Sequence, residues 1–216
     1  MKRIFALFSI LLTLSLLFSG CAESGAGGDP GADNANPDYS FEDGGLLTGL
    51  HYVEMEVKDY GTMIIEVDAD AAPVSATNFL KLVNSGFYDG LTFHRIISGF
   101  MAQGGDGSAT DRADEAQTIT GEFALNGYDN PISHTRGVIS MARAQAYDSA
   151  SSQFFIMHAD YTGLDGSYAA FGRVIEGMEV VDGMCEDADP NAPNGMLEKE
   201  DQPVISYAKL LGTEKP

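Results

Sequence analysis

The sequence predicts a mainly β domain in which about eight strands and two short helices curl into a closed antiparallel barrel. Three observations predict it. Short apolar or alternating runs recur from His51 to Leu211, Gly-rich turns separate them, and only two stretches carry a helical spacing. Closure removes the exposed edges that an open sheet presents to other chains. Strand count alone does not separate such a barrel from a sandwich.

Each element has its own signal. Residues 51–57 alternate polar and apolar, Asp59-Tyr60-Gly61 turns the chain, and residues 62–67 alternate again, which reads as a β-hairpin. Pro73 and Ser75 open a short helix; Ala76, Phe79, Leu82 and Val83 fall on one face of it, and Gly86 stops it. Strand-like runs follow at residues 92–97, 100–103, 137–142, 154–158 and 169–174. A second short helix is expected over residues 176–184, and residues 204–211 read as the last strand.

The N-terminal segment belongs to no such pattern. Lys2 and Arg3 precede an apolar run from Ile4 to Phe18 that only Ser and Thr interrupt, the layout of a secretory signal. The run is shorter than the ~20 apolar residues that span a bilayer. Phe18-Ser19-Gly20-Cys21 resembles a bacterial lipobox, which implies that residues 1–20 are removed and that Cys21 carries lipid. Residues 21–48 are then a tether rich in Gly, Ala, Asn and Asp, with too little to bury to offset its ordering entropy. Its r.m.s. reach is on the order of 25–30 Å. Residues 49–216 form the domain. The expected location is extracytoplasmic, anchored to the cell membrane through Cys21, and a monomer is expected.

Charge excludes some partners. The chain holds 32 acidic and 12 basic residues, a net charge of −20. The tether takes six acids and no base, which leaves the domain near −16. Nucleic acid is therefore not an expected partner. No Ca²⁺-loop motif or close His/Cys cluster occurs, so neither a metal nor any other cofactor is expected. With Cys21 lipidated, Cys185 has no partner for a disulfide and reads as a small buried hydrophobe.

Three motifs carry the chemistry. The first is Phe93-His94-Arg95-Ile96-Ile97-Ser98-Gly99-Phe100-Met101-Ala102-Gln103-Gly104-Gly105-Asp106. The second is Gly137-Val138-Ile139-Ser140-Met141-Ala142-Arg143, followed by Ser152-Gln153-Phe154-Phe155-Ile156. The third is Leu164-Asp165-Gly166, followed by Phe171-Gly172-Arg173-Val174. In this order and spacing they resemble the cyclophilin family of peptidyl-prolyl cis/trans isomerases, over roughly residues 53–211. The resemblance implies an eight-stranded barrel with a helix capping each end, and proline-containing polypeptides as substrates.

Such a reaction needs no nucleophile. Amide resonance sets a barrier of roughly 18–20 kcal/mol to rotation about the peptide bond. In the twisted transition state the nitrogen is pyramidal and accepts a hydrogen bond, so a fixed cationic donor stabilises that state and not the planar one. Arg95 suits the task, because its charge is permanent and its donors form a planar fork. The resemblance implies that Phe100, Met101, Phe155 and Leu164 hold the proline ring. It also implies that Gln103 binds a substrate carbonyl, and that the main chain of Ala142 and Arg143 pairs with the residue before proline. Tyr168 stands where the family often has His. His94 and His134 are expected to be structural, since isomerisation needs no base.

Three departures from the family stand out. Gly163 replaces the tryptophan that many members place before Leu-Asp-Gly, so weak inhibition by cyclosporin is expected. Arg143 replaces a common Asn, and residues 107–117 lack the usual Gly-Thr-Gly. A proline-segment binding module without essential turnover is the alternative; it needs the apolar pocket but not Arg95. A structural lipoprotein that kept only the barrel is a weaker one, and it does not explain why Phe100 and Gln103 are retained.

Overall fold

The computed structural model describes residue 41 and residues 45–216. The signal segment, Cys21 and most of the tether lie outside the described residues. The elements are β1 (Leu50–Val57), β2 (Gly61–Asp68), α1 (Pro73–Asn84), β3 (Phe93–Ile97), β4 (Met101–Gly104) and β5 (Val138–Met141). They continue with β6 (Phe154–Met157), β7 (Ala170–Glu176), α2 (Met178–Asp187) and β8 (Ile205–Gly212).

All eight strands join one antiparallel sheet, in the order β3-β4-β6-β5-β7-β2-β1-β8. It curls into a half-barrel, and the expected closure is not seen as strand pairing. β3 and β8 share no ladder; a single bridge, Thr92 with Val204, joins the segments that precede them. The physical reason is competition for an edge. A bridge between Arg95 and Met196, and the Leu197 N–H donating to the His94 carbonyl at 3.0 Å, occupy the free side of β3.

The hairpin and α1 form where the sequence placed them. Val53, Met55 and Val57 of β1 face inward with Met63, Ile65 and Val67 of β2, all fully buried. From α1, Phe79 meets Tyr88, Phe154 and Phe171 at ring centroid distances of 5.3, 5.7 and 5.1 Å. No side chain at its own N-cap serves this helix. Instead Glu122, buried and 48 residues away from Val74, accepts the N–H groups of Val74 and Ser75 at 2.8 Å and the Ser75 hydroxyl at 2.7 Å. A carboxylate there satisfies orphan donors and faces the positive end of the helix dipole.

The second helix starts and ends later than its spacing suggested. β7 runs on through Glu176, and Gly177 then turns the chain at φ 81°. A Cβ at Gly177 would stand 2.3 Å from the Thr62 carbonyl oxygen, so only glycine fits. α2 then buries Val180, Val181, Met184 and Cys185 against the core. Burial, followed by the charge of Asp182, pushes the Cys185 thiol up to about 12, as suits a packing residue.

Candidate functional site

Arg95, Gln103, Phe155 and Ser140 are successive register partners across β3, β4, β6 and β5. Register partners share a face of the sheet, so these four form one row. It lies on the outer face, opposite the main core. Met101, with its partner Met157, sits in a second row two residues along.

A bulge puts Arg95 in that row. Phe93 pairs with Gly104 and Arg95 with Gln103, which leaves His94 as an extra residue in β3. Strict alternation would place Phe93 and Arg95 on the same face. The bulge breaks it. Phe93 is fully buried in the core, whereas Arg95 turns out to line a cavity on the other face.

Around the row lies a small apolar cluster separate from the core: Met101, Val138, Phe155, Met157 and Ala170, with Phe100, Ala142, Leu164 and Tyr168 packed against it. It floors a cavity of about 230 Å³. β3 contributes Arg95, the following turn Phe100, and β4 Met101 and Gln103. Ala142 and Arg143 come from the chain just past β5, Phe155 from β6, and Leu164 and Tyr168 from the 162–168 turn. The structure thus brings together every residue that the sequence assigned to substrate. A larger cavity of about 500 Å³ opens beside α2, and none of those residues lines it.

Arg95 donates three hydrogen bonds to oxygen, and its Nη1 also lies 3.9 Å from the Met101 sulfur. Its Nε donates to the Asn194 carbonyl at 2.9 Å, Nη2 to Asn194 Oδ1 at 3.2 Å and Nη1 to Gln103 Oε1 at 3.2 Å. Partial burial draws its guanidinium below the ordinary value, while the nearby Tyr168 acts the other way. A partly dehydrated cation interacts more strongly than a hydrated one. Gln103 is itself fixed, since its Nε2 donates to Gln153 Oε1 at 2.9 Å.

The structure adds two features of the pocket wall. The Ala142 N–H donates to the Gln153 carbonyl at 2.9 Å and is not open to a substrate. The Arg143 side chain, given no role by the sequence reading, clamps two loops. Its guanidinium donates to the carbonyls of Ser167 and Ala144 at 2.8–3.0 Å and lies 4.9 Å from the ring centroids of Phe123 and Tyr168. Tyr168 in turn meets Phe155 edge-on at 5.7 Å.

His134 is fully buried behind the pocket, its ring stacked on Phe155 at 5.9 Å and 16°. Its Nδ1 lies 2.8 Å from Asp165 Oδ1 and its Nε2 3.0 Å from Ser140 Oγ. Burial lowers its pKa against the opposing pull of Asp165, so the ring is neutral at pH 7. An ionised Asp165 only accepts, so Nδ1–H donates to it and the Ser140 hydroxyl donates to Nε2. His94 is likewise lowered, by burial first.

Sequence reasoning missed Asn194 and Tyr161. The Asn194-Gly195 pair signals a turn and nothing more. Tyr161 packs edge-on against Phe100 at 5.1 Å. A Cβ built on Gly163 lies 3.0 Å from Tyr161 Cε1, so the tyrosine fills space beside the expected tryptophan position.

Residues 52–204 match the family described as cyclophilin type peptidyl-prolyl cis-trans isomerase/CLD. The chain is 42% identical over 156 residues to peptidyl-prolyl cis-trans isomerase A of Dickeya dadantii, covering 70% of this chain and 80% of that one. Against the peptidyl-prolyl cis-trans isomerase of Acinetobacter baylyi the identity is 44% over 186 residues, covering 80% and 95%. A cyclophilin type isomerase of Cryptosporidium parvum superposes with a TM-score of 0.63 at 26% identity, over 77% of this chain and 99% of that one. A further crystal structure of that protein was obtained in the presence of the dipeptide Ala-Pro.

Proposed function

Since the chain belongs to the cyclophilin-type peptidyl-prolyl cis-trans isomerases and so accelerates X-Pro rotation in proline-containing polypeptides, we propose that Arg95 is the donor that lowers the barrier, outside the cytoplasm and on a lipid tether. The observation that carries the catalytic reading is the row in which Arg95, Gln103 and Phe155 stand side by side over an apolar floor.

The chemistry follows from that row. The proline ring enters against Phe100, Met101, Phe155 and Leu164, which grip it while the preceding carbonyl turns. Arg95, one strand from Gln103, presents a fixed N–H to the nitrogen as it becomes pyramidal. A preorganised donor of this kind supplies roughly 3–4 kcal/mol, about two to three decades of rate. The apolar floor favours the less dipolar twisted amide over the planar one. Gln103 keeps one amide N–H for a substrate carbonyl, and with the Ala142 N–H engaged the backbone contact falls to the Ala142 carbonyl and the Arg143 main chain.

The extracytoplasmic reading rests on Lys2 and Arg3, the apolar run to Phe18 and Cys21. Exported polypeptides folding near the membrane are the substrates it implies. Equilibrium NMR exchange of an X-Pro peptide, in wild type and Arg95→Ala, tests the catalytic part: turnover should collapse while the peptide still binds. Equal turnover would remove Arg95 from the mechanism.

A further inference from the structure

We propose that Asn194 is the positioning residue for Arg95, orienting its guanidinium through a two-point grip that leaves the charge intact. The inference rests on the reading of Arg95 as the donor to the proline nitrogen.

Arg95 has five N–H groups on a long, freely rotating stem. Asn194 takes two of them on one edge of the fork, Nε with its carbonyl and Nη2 with its side-chain oxygen. Gln103 takes one on Nη1. Nη1 also lies 3.9 Å from the Met101 sulfur, so the N–H left without a partner is on Nη2, on a group whose rotation is restricted. A donor that needs no reorientation during the reaction is worth most in the transition state.

The choice of partner matters. Among the described residues no carboxylate lies within ion-pair distance of Arg95, in a strongly acidic chain. An Asp at this position would orient the guanidinium equally well but would partly cancel its field. A neutral amide orients without cancelling.

The grip is itself rigid. Asn194 adopts φ 57° and Gly195 φ 72°, the left-handed region that Asn and Gly tolerate. A Cβ at Gly195 would lie 2.6 Å from the Ile96 carbonyl oxygen, so the loop backbone presses directly on β3. The Arg95–Met196 bridge and the Leu197 N–H to His94 carbonyl bond then lace the loop to the strand that carries Arg95. The carbonyl acceptor is therefore fixed relative to the donor it holds, and the exposed Asn194 side chain adds the second point of the grip.

The test uses the full-length protein and one X-Pro peptide, with turnover and affinity read from the same NMR exchange and titration data. Asn194→Gly keeps the backbone conformation and the carbonyl but removes Oδ1. Turnover should fall about tenfold, the rate equivalent of one hydrogen bond, with affinity changed less than twofold. The Arg95 Nε–H resonance should broaden as the side chain gains freedom. Adding Asn194→Gly to Arg95→Ala should cost nothing further. Asn194→Ser, whose shorter side chain does not reach, carries the same expectation should the glycine variant fail to fold. Wild-type turnover in Asn194→Gly, with Arg95→Ala still slow, would overturn the inference and leave the Arg95 reading standing. An equal loss in the Arg95→Ala background would also overturn it, by showing a merely structural effect. Wild-type turnover in Arg95→Ala itself would remove both.

Discussion

At the scale of single residues, Arg95 carries the sharpest expectations. Arg95→Ala should lower kcat/KM about a hundredfold or more, since a donor present only in the transition state is lost. Arg95→Lys should recover only part of this, because a point charge cannot keep the grip of Asn194 and Gln103 together. Between pH 6 and 8 the rate should stay nearly flat. His94 and His134 are both held below the ordinary histidine value by burial, and neither has a proton to move in the reaction. A bell-shaped profile in that range would point to one of them instead. The Gly163 position gives a second expectation: cyclosporin should inhibit weakly in an activity assay. Gly163→Trp should tighten inhibition only if Tyr161 swings away from Phe100, because the two rings compete for one space. Combining it with Tyr161→Ala should therefore tighten it more than Gly163→Trp alone.

At the scale of elements, two buried groups set how the helix and the pocket wall are held. Glu122 receives three hydrogen bonds at the N-terminus of α1. Glu122→Gln loses the charge and one acceptor and should cost about 1.5–3 kcal/mol of stability, the worth of hydrogen bonds to a charged group. Urea denaturation measures it, and an unchanged midpoint would mean that α1 needs no such cap. His134 ties Phe155 and Ser140 to the Asp165 turn. Its folded pKa lies below its unfolded value of about 6.5. The folded state therefore binds fewer protons than the unfolded state just below that pH, and stability falls as the pH falls. The contribution is complete above about pH 6.5 and is lost on the way down to the folded value. Wild type should lose more stability between pH 7.5 and 5 than His134→Gln does. Equal slopes in the two proteins would assign the acid sensitivity elsewhere.

At the scale of the whole molecule, the expectation concerns attachment. Cys21→Ser should abolish fatty-acid labelling and leave either an uncleaved precursor or released protein. Labelling of the variant at the wild-type level would exclude Cys21 as the anchor. One acyl chain binds only marginally, so stable attachment through Cys21 requires more than one.

Much of this protein was legible before any coordinates. Short apolar or alternating runs located the hairpin and the remaining strands to within a residue or two, because the pattern is local: β2 alternates with one face in the core, while β5 and β6 are apolar runs buried on both faces. The motifs carried by Arg95, Gln103, Phe155 and Leu164 named the pocket, since those residues cluster in short segments whose type and order are visible in the chain. What the sequence could not decide is whatever depends on residues distant along the chain. The His94 bulge, which turns Arg95 away from the core, exists only against the register of β4. Glu122 caps α1 from far along the chain, and Asn194 reaches Arg95 from 99 residues away. At the seam between β3 and β8 the free edge of β3 is occupied by residues 196–197, which a local pattern does not reveal. Local periodicity encodes elements; hydrogen bonds between distant segments are set only when the chain has packed.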